Sequence, residues 1–347
     1  MVSNKKKLLF VLLFLVVVAA GIGYQYYRMI FRTPVFDAGR EAREWLYVYP
    51  EMSWQEVTDA LGQEEAINPK SAKGIALLAK LKPESKPKAG AYELSPEVSA
   101  FGLFRTVSGG LQTPVKLTFT SRRLPEEMWG LLARNIMADS ASVARAMTDR
   151  ALLKEIGVND TTMAYRLIPN TYEVYWTISP KELAKKLEKE YEAFWNETRT
   201  AKAKALGLTP YEVSILASIV EEESSKGDEY PRIAGLYLNR IHRGIPLQAD
   251  PTVKFALRDF GLRRILLTHL QIDSPYNTYK VQGLPPGPIR IPSARAIDGV
   301  LNAEQHNYLF MVAKADFSGY HDFSETLAEH SRKARLYQQA LNQRGIK

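Results

Sequence analysis

The sequence predicts an α+β protein in three parts: an N-terminal transmembrane helix, a small βααβ module, and a larger mixed α/β region. Three observations carry that prediction. An uncharged apolar run, Leu8 to Tyr27, follows Lys5, Lys6 and Lys7. From Arg43 the chain reads strand, helix, helix, strand. The remainder alternates capped, amphipathic helices with short strand-like runs. The boundaries that follow are 1–27 for tail and anchor, 28–43 for a connector, 44–113 for the module and 114–347 for the larger region.

Twenty residues at a rise of about 1.5 Å give about 30 Å, the thickness of a bilayer core. Tyr24, Tyr26 and Tyr27 suit the interfacial belt. A cleaved signal peptide is the rival, with Val18-Ala19-Ala20 as its cleavage site, but the apolar run continues past that site to spanning length. Basic residues before the span and only Arg28 and Arg32 just after it put the N-terminus inside and the rest outside the cytoplasm. The connector carries Pro34 and Gly39. In the module, Arg43–Pro50 favours a strand, Ser53 and Glu56 form a capping box for a short helix, Ser71–Leu81 forms a second helix, and Lys88–Leu94 returns as a strand.

Beyond a turn at Gly109-Gly110, Val115–Ser121 alternates like a half-buried strand. Helices are predicted over Leu124–Ile136, Ser140–Met147 and Pro180–Trp195, with Tyr165–Val174 as a loop between them. The Lys- and Glu-rich stretch Lys181–Lys204 reads as a solvated face. Thr209-Pro210-Tyr211-Glu212 starts a helix, with a Thr N-cap, a Pro in the first turn and a Glu three residues after the cap.

That helix ends in LASIVEEESS, residues 216–225. At about 100° per residue, Val213, Leu216, Ile219 and Val220 form its core stripe. Glu221 then lies at the edge of the core above Ala217, Ser214 and Ser218, whose small side chains leave room for a ligand. Glu222 points away from the core. Glu223 points into it and needs a partner there. A partly desolvated carboxyl holds its proton near neutrality and can act as a general acid; geometry leaves Glu221 and Glu223 both open, against the plain alternative of ion-paired helix-end glutamates.

Composition narrows the classes further. A chain of 347 residues with 46% hydrophobic and 24% charged residues is long enough for two compact domains and is not a disordered tail. Its formal net charge of +8 favours an anionic polymer or membrane surface. Nucleic acid is disfavoured by the anchor and by the lack of a basic stripe. The absence of cysteine removes disulfides, thiol nucleophiles and thiolate metal sites, and no metal-ligand pattern surrounds the glutamates. No metal and no cofactor are expected.

After the glutamates come AGLYLNRIHRGIPLQADPTVKFAL, SPYNTY, GLPPGPIRIPS, YLFMVAKADFSGYHDFSET and AEHSRKARLYQQAL. This order of motifs resembles the YceG-like family of endolytic murein transglycosylases. The resemblance implies a LysM-like module at 44–113 and a catalytic domain at 114–347. It implies a lyase that cleaves the bond between N-acetylmuramic acid and N-acetylglucosamine in nascent peptidoglycan strands to leave 1,6-anhydro ends, and so limits strand length. Glu221 is implied as the catalytic acid, with Glu223 and Ser218 supporting it. Asn239, Gln248, Asp250, Thr252, Tyr276, Asn277, Thr278 and Tyr279 are implied around the groove, where polar and aromatic side chains suit sugars. Implied partners are glycan strands, the inner membrane through the N-terminal helix, and peptidoglycan synthases. Two departures stand out: the usual FPDTY element reads IPNTY, with Asn170 for the aspartate, and the usual Pro-Glu-Gly turn reads Pro50-Glu51-Met52. The rival readings are a hydrolase pairing Glu221 with Asp250 or Asp273, and a non-catalytic wall-binding scaffold.

Overall fold

The computed structural model describes residues 4–36, 43–64, 67–158, 163–262 and 264–344. Part of the predicted connector, with Gly39, lies outside the described residues. The chain divides into two compact units. One gathers Met1–Lys116 with Asn135–Met137 and Glu173–Ile178; the other gathers Leu117–Arg134, Ala138–Tyr172 and Ser179–Lys347.

The first unit opens with α1 (Asn4–Phe31), a helix long and apolar enough to span a bilayer, whose side chains from Lys6 to Arg28 are all exposed. Its last turn is different: Ile30 is buried with Leu78 and Phe104, and the Phe31 ring lies 4.9 Å from Phe101. Then follow β1 (Glu44–Val48), α2 (Trp54–Glu64), α3 (Pro69–Leu81), β2 (Gly90–Leu94) and α4 (Ala100–Gly109). β1 and β2 pair antiparallel, Glu44 opposite Leu94 and Val48 opposite Gly90. The inward residues Leu46, Val48, Tyr92 and Leu94 join Val57, Leu61 and Ile75 in one core. The predicted box is present, with Glu56 accepting from the Ser53 N–H at 2.7 Å and Ser53 Oγ from the Glu56 N–H at 3.3 Å. A Cβ on Gly74 would sit 3.0 Å from Ala100 Cβ and 3.2 Å from the Met29 carbonyl, so glycine there lets α3 approach the end of α1. The turn predicted at Gly109-Gly110 is the C-cap of α4, with Gly110 at φ 68°. α4 itself was not legible, because glycines and β-branched residues interrupt its period.

The next elements are β3 (Val115–Thr118), α5 (Glu126–Ala133), α6 (Ser140–Met147), α7 (Arg150–Glu155) and β4 (Thr171–Val174), followed by α8 (Pro180–Phe194) and α9 (Glu197–Ala205). β3 pairs with β4, so the segment predicted as a loop holds a 3-10 turn at Met163–Arg166 and then a strand. Asn170 caps that strand's entry by accepting from the Thr171 N–H at 2.8 Å. The Lys- and Glu-rich stretch is not wholly solvated either: Glu188 is buried on α8 and paired with Arg166.

The chain continues with α10 (Pro210–Glu223), α11 (Tyr230–His242), α12 (Asp250–Leu257), α13 (Ala294–Leu301), β5 (Phe310–Ala313), β6 (His321–Ser324) and α14 (Leu327–Gln343). α10 is the centre of the second unit. Every residue from Val213 to Val220 is buried, against α11, α13, α12 and α9. The predicted capping box starts it, with Glu212 accepting from the Thr209 N–H at 2.7 Å and Thr209 Oγ1 from the Glu212 N–H at 3.2 Å. β5 and β6 form an antiparallel pair, covered by α14.

Candidate active site

The last turn of α10 fans the three glutamates in different directions. Glu221 turns toward α13. Its Oε2 accepts the N–H of Ser293, the N-cap of α13, at 2.9 Å and lies 3.5 Å from Arg290 Nε. Glu222, expected to point away from the core, has a side chain only 10% exposed. It takes two hydrogen bonds from Arg123 at 2.8 Å each and one from Arg290 Nη1 at 2.9 Å. The strip of small residues beneath Glu221 holds protein rather than open space. Ser218 is fully buried, donating to the Ile215 carbonyl and accepting the Ile289 N–H at 3.0 Å. Small side chains here admit α13 and the segment before it.

Glu223 has the inward direction read from the helix period, and its partner is the hydroxyl of Tyr237, which donates to Oε1 at 2.7 Å. It lies in a cavity of about 280 Å³ that is also lined by Tyr237, Arg240, Gln248, Asp250 and Tyr279. Burial pushes the Glu223 carboxyl up to about 7; the Tyr237 hydrogen bond opposes that, and the Asp250 and Glu222 charges add to it. Burial, then the Glu223 charge, pushes the Tyr237 phenol well above its ordinary value. The residues here hold each other in place: the Tyr279 hydroxyl donates to Asp250 at 2.6 Å, and Arg240 Nη2 to Gln248 Oε1 at 2.6 Å. Gln248 sits at φ 52°, a left-handed conformation of the kind that costs a side-chain-bearing residue about 1–3 kcal/mol and persists where its surroundings demand it.

Of the predicted site residues, Glu223, Gln248, Asp250 and Tyr279 therefore converge on one cavity. The others support it from behind or stand apart. Thr252 and Thr278 are fully buried and bonded through their hydroxyls at 2.8 Å, and Thr278 Oγ1 accepts from the Ala249 N–H at 3.0 Å. That clamp fixes the chain on both sides of Asp250. Asn277 is fully enclosed, donating to the carbonyls of Leu270 and Ile272 at 2.9 Å and accepting from Tyr279 N–H at 3.1 Å. It sets the loop carrying Tyr279 and has no free polar atom for a sugar. Asn239 bonds the carbonyls of His306 and Tyr308 at 2.7 and 3.1 Å. The Tyr276 ring packs 4.8 Å from Phe255. Tyr237, Arg240, Phe310 and His330 line the cavity without having been singled out in the sequence. For two of them a signal existed: Tyr237 and Arg240 are three apart in sequence, the spacing that shares one face of a helix. Among the described residues no group of three or more His, Cys, Asp or Glu is arranged to hold a metal ion.

The second unit thus encloses the Glu223 carboxyl in a polar-aromatic cavity. The chain belongs to the YceG-like family, whose model matches residues 46–336. The endolytic murein transglycosylase of Bacillus subtilis (strain 168) is 34% identical over 148 residues, 43% of this chain and 40% of that protein. The endolytic murein transglycosylase of Streptococcus pneumoniae (strain D39) is 27% identical over 364 aligned positions. That match takes in 92% of this chain and 64% of the pneumococcal protein, so the chain spans less than two thirds of either relative. A 2.6 Å crystal structure of a YceG-like protein from Listeria monocytogenes shares the fold, with a TM-score of 0.54 and 24% identity, covering 84% of this chain and 99% of that one.

Proposed function

We propose that the protein is an endolytic peptidoglycan lytic transglycosylase in which Glu223, rather than Glu221, is the proton donor. The observation that carries this reading is the cavity that unites a carboxyl holding its proton to about pH 7 with Gln248, Asp250 and Tyr279. Glu221 commits one oxygen, Oε2, to both the N-terminus of α13 and Arg290, which suits a brace. Protonated Glu223 donates to the oxygen of the β-1,4 bond between N-acetylmuramic acid and N-acetylglucosamine, and the bond to C1 breaks. The oxocarbenium-like centre gains from the nearby Asp250 carboxylate. The muramyl 6-hydroxyl attacks C1, its proton returns to Glu223, and a 1,6-anhydro ring closes with no water consumed.

The wider assignment follows from the same reading. Residues 44–113 form a LysM-like module that holds glycan, and residues 114–347 form the catalytic domain. The exposed apolar helix anchors the chain in the inner membrane as a single span with its N-terminus inside, where the enzyme terminates strands made by peptidoglycan synthases. Digestion of purified strands by the full chain, read by mass spectrometry, tests the reaction: ends one water lighter than hydrolysed ends are expected, and Glu223→Gln should abolish them. A second reading has one observation in its favour. Asp250 lines the same cavity, as the second carboxylate of a hydrolase would, and full-mass ends would decide for it.

A further inference from the structure

The cavity holds a cation that the reaction above does not use. Arg240 is 7% exposed, and no carboxylate among the described residues lies within ion-pair distance of it. Its Nη2 bonds Gln248, but its Nε is buried without a hydrogen-bond partner. The same is true of His330 Nδ1, across the same cavity. Both groups cover one ring: the Phe310 centroid is 5.6 Å from the Arg240 guanidinium carbon and 5.4 Å from the His330 ring. The cavity's two acids are already engaged, Glu223 by Tyr237 and Asp250 by Tyr279. Burial, and then the charge of Arg240, holds His330 below its ordinary value, so Arg240 is the positive charge of the cavity at neutral pH.

Buried arginines are ordinarily paired, because a guanidinium without an anion forfeits the hydration it had in water. Among the described residues, the side-chain partners of Arg240 are one neutral amide and one aromatic face. Two unpartnered nitrogens beside an uncompensated cation describe a site for an oxygen-bearing anion. We propose that Arg240 and His330 form a subsite for a carboxylate carried by the substrate. On the functional reading above, on which this rests, that group is the free lactyl acid of a muramyl residue that carries no peptide. Chitin-like strands carry no such group, so the subsite distinguishes muramyl strands from other β-1,4 glycans and sets which sugar enters beside Glu223.

The test measures binding by the full-length Glu223→Gln chain, so that cleavage does not intervene. Peptide-free strands with free lactyl carboxylates are compared with the same strands after amidation of those carboxyls. A charge-assisted pair predicts binding about 10–100-fold tighter for the free carboxylates. Adding Arg240→Gln should reduce both strands to the weaker affinity, and Arg240→Lys should recover part of the preference. Equal binding of the two strands by the parent chain would overturn the proposal, as would an Arg240→Gln chain that loses affinity for both by the same factor. Should Arg240→Gln fail to fold, the parent chain's own comparison decides. Cleavage by the wild-type chain separates the two readings. Strands bound with the expected preference but never cut would sink the transglycosylase reading alone, and strands cut without preference would sink the subsite alone.

Discussion

Glu221, Glu222 and Glu223 are chemically identical, and their surroundings give them three different sets of partners. Glu223→Gln keeps the acceptor for the Tyr237 hydroxyl and removes the transferable proton, so strand cleavage should fall by about 10²–10⁴-fold, the usual worth of general acid catalysis. In the wild-type chain the rate should decline above about pH 7, where the carboxyl loses its proton. Stability has its own pH dependence at this residue. The folded chain binds the Glu223 proton more tightly than the unfolded chain, so this stabilisation is complete below the ordinary 4.5 and is lost as pH rises to about 7. Urea unfolding between these limits should therefore show Glu223→Gln gaining on wild type, by at most about 3 kcal/mol; a constant difference would mean that Glu223 is ionised throughout. On the proposed assignment Glu221→Gln should leave cleavage within about 10-fold, because an amide oxygen can still accept the Ser293 N–H at the start of α13. Glu222→Gln removes the acceptor shared by Arg123 and Arg290 and should cost about 1–3 kcal/mol in chemical denaturation. The inward direction of Glu223 was legible from the helix period alone. The partners of Glu221 and Glu222 were not, since Arg123 and Arg290 lie far from them in sequence and only the fold brings them near.

At the scale of elements, local chemistry was readable and long-range packing was not. The capping boxes at Ser53 and Thr209, the helix Ser140–Met147 and the β1–α2–α3–β2 order each follow from residues within a few positions of one another. β4 was read as a loop because its sequence alternates aromatic and polar residues without a long apolar run, and its strand state depends on pairing with β3. The small residues of α10 show the same limit. Their spacing was clear, but what filled the space above them was α13, which is held there by the Ser218 bond to the Ile289 N–H and by close approach at Gly299. A Cβ on Gly299 would come within 2.6 Å of Tyr230 Cβ, so Gly299→Ala should destabilise the unit by about 1–3 kcal/mol through overpacking. Because α13 braces the turn carrying Glu221, cleavage should fall with the folded fraction and not beyond it. A melting temperature unchanged from wild type would show that α11 and α13 can separate without loss.

At the scale of the whole molecule, the apolar helix α1 packs its last turn into the module. α1 runs unbroken from Asn4 to Phe31, and its last turn is core: Ile30 is 9% exposed and packs with Leu78 and Phe104. If Leu8–Tyr27 fills the bilayer, only Arg28–Phe31 remain outside it, about one helical turn or roughly 6 Å. The module is then held against the membrane surface. Its α3 face beside α1 carries Lys70 and Lys73, which with Arg28 and Tyr24 border a cavity of about 920 Å³ along the helix. Truncation should report this continuity. A chain starting at Thr33 loses the burial of Ile30, worth about 1.5–3 kcal/mol, and should unfold at lower urea than one starting at Tyr27. Distance to the membrane can be read directly, because the chain has no cysteine and a single Lys73→Cys can be labelled alone. In liposomes the fluorescence of that label should be quenched by a quencher attached to lipid headgroups. A flexible glycine-serine segment inserted between Tyr27 and Arg28 should relieve the quenching without changing cleavage of detergent-solubilised strands. An unquenched label on the uninterrupted chain, with the first residues still attached, would mean that the span ends well before Tyr27 and that the module stands away from the bilayer.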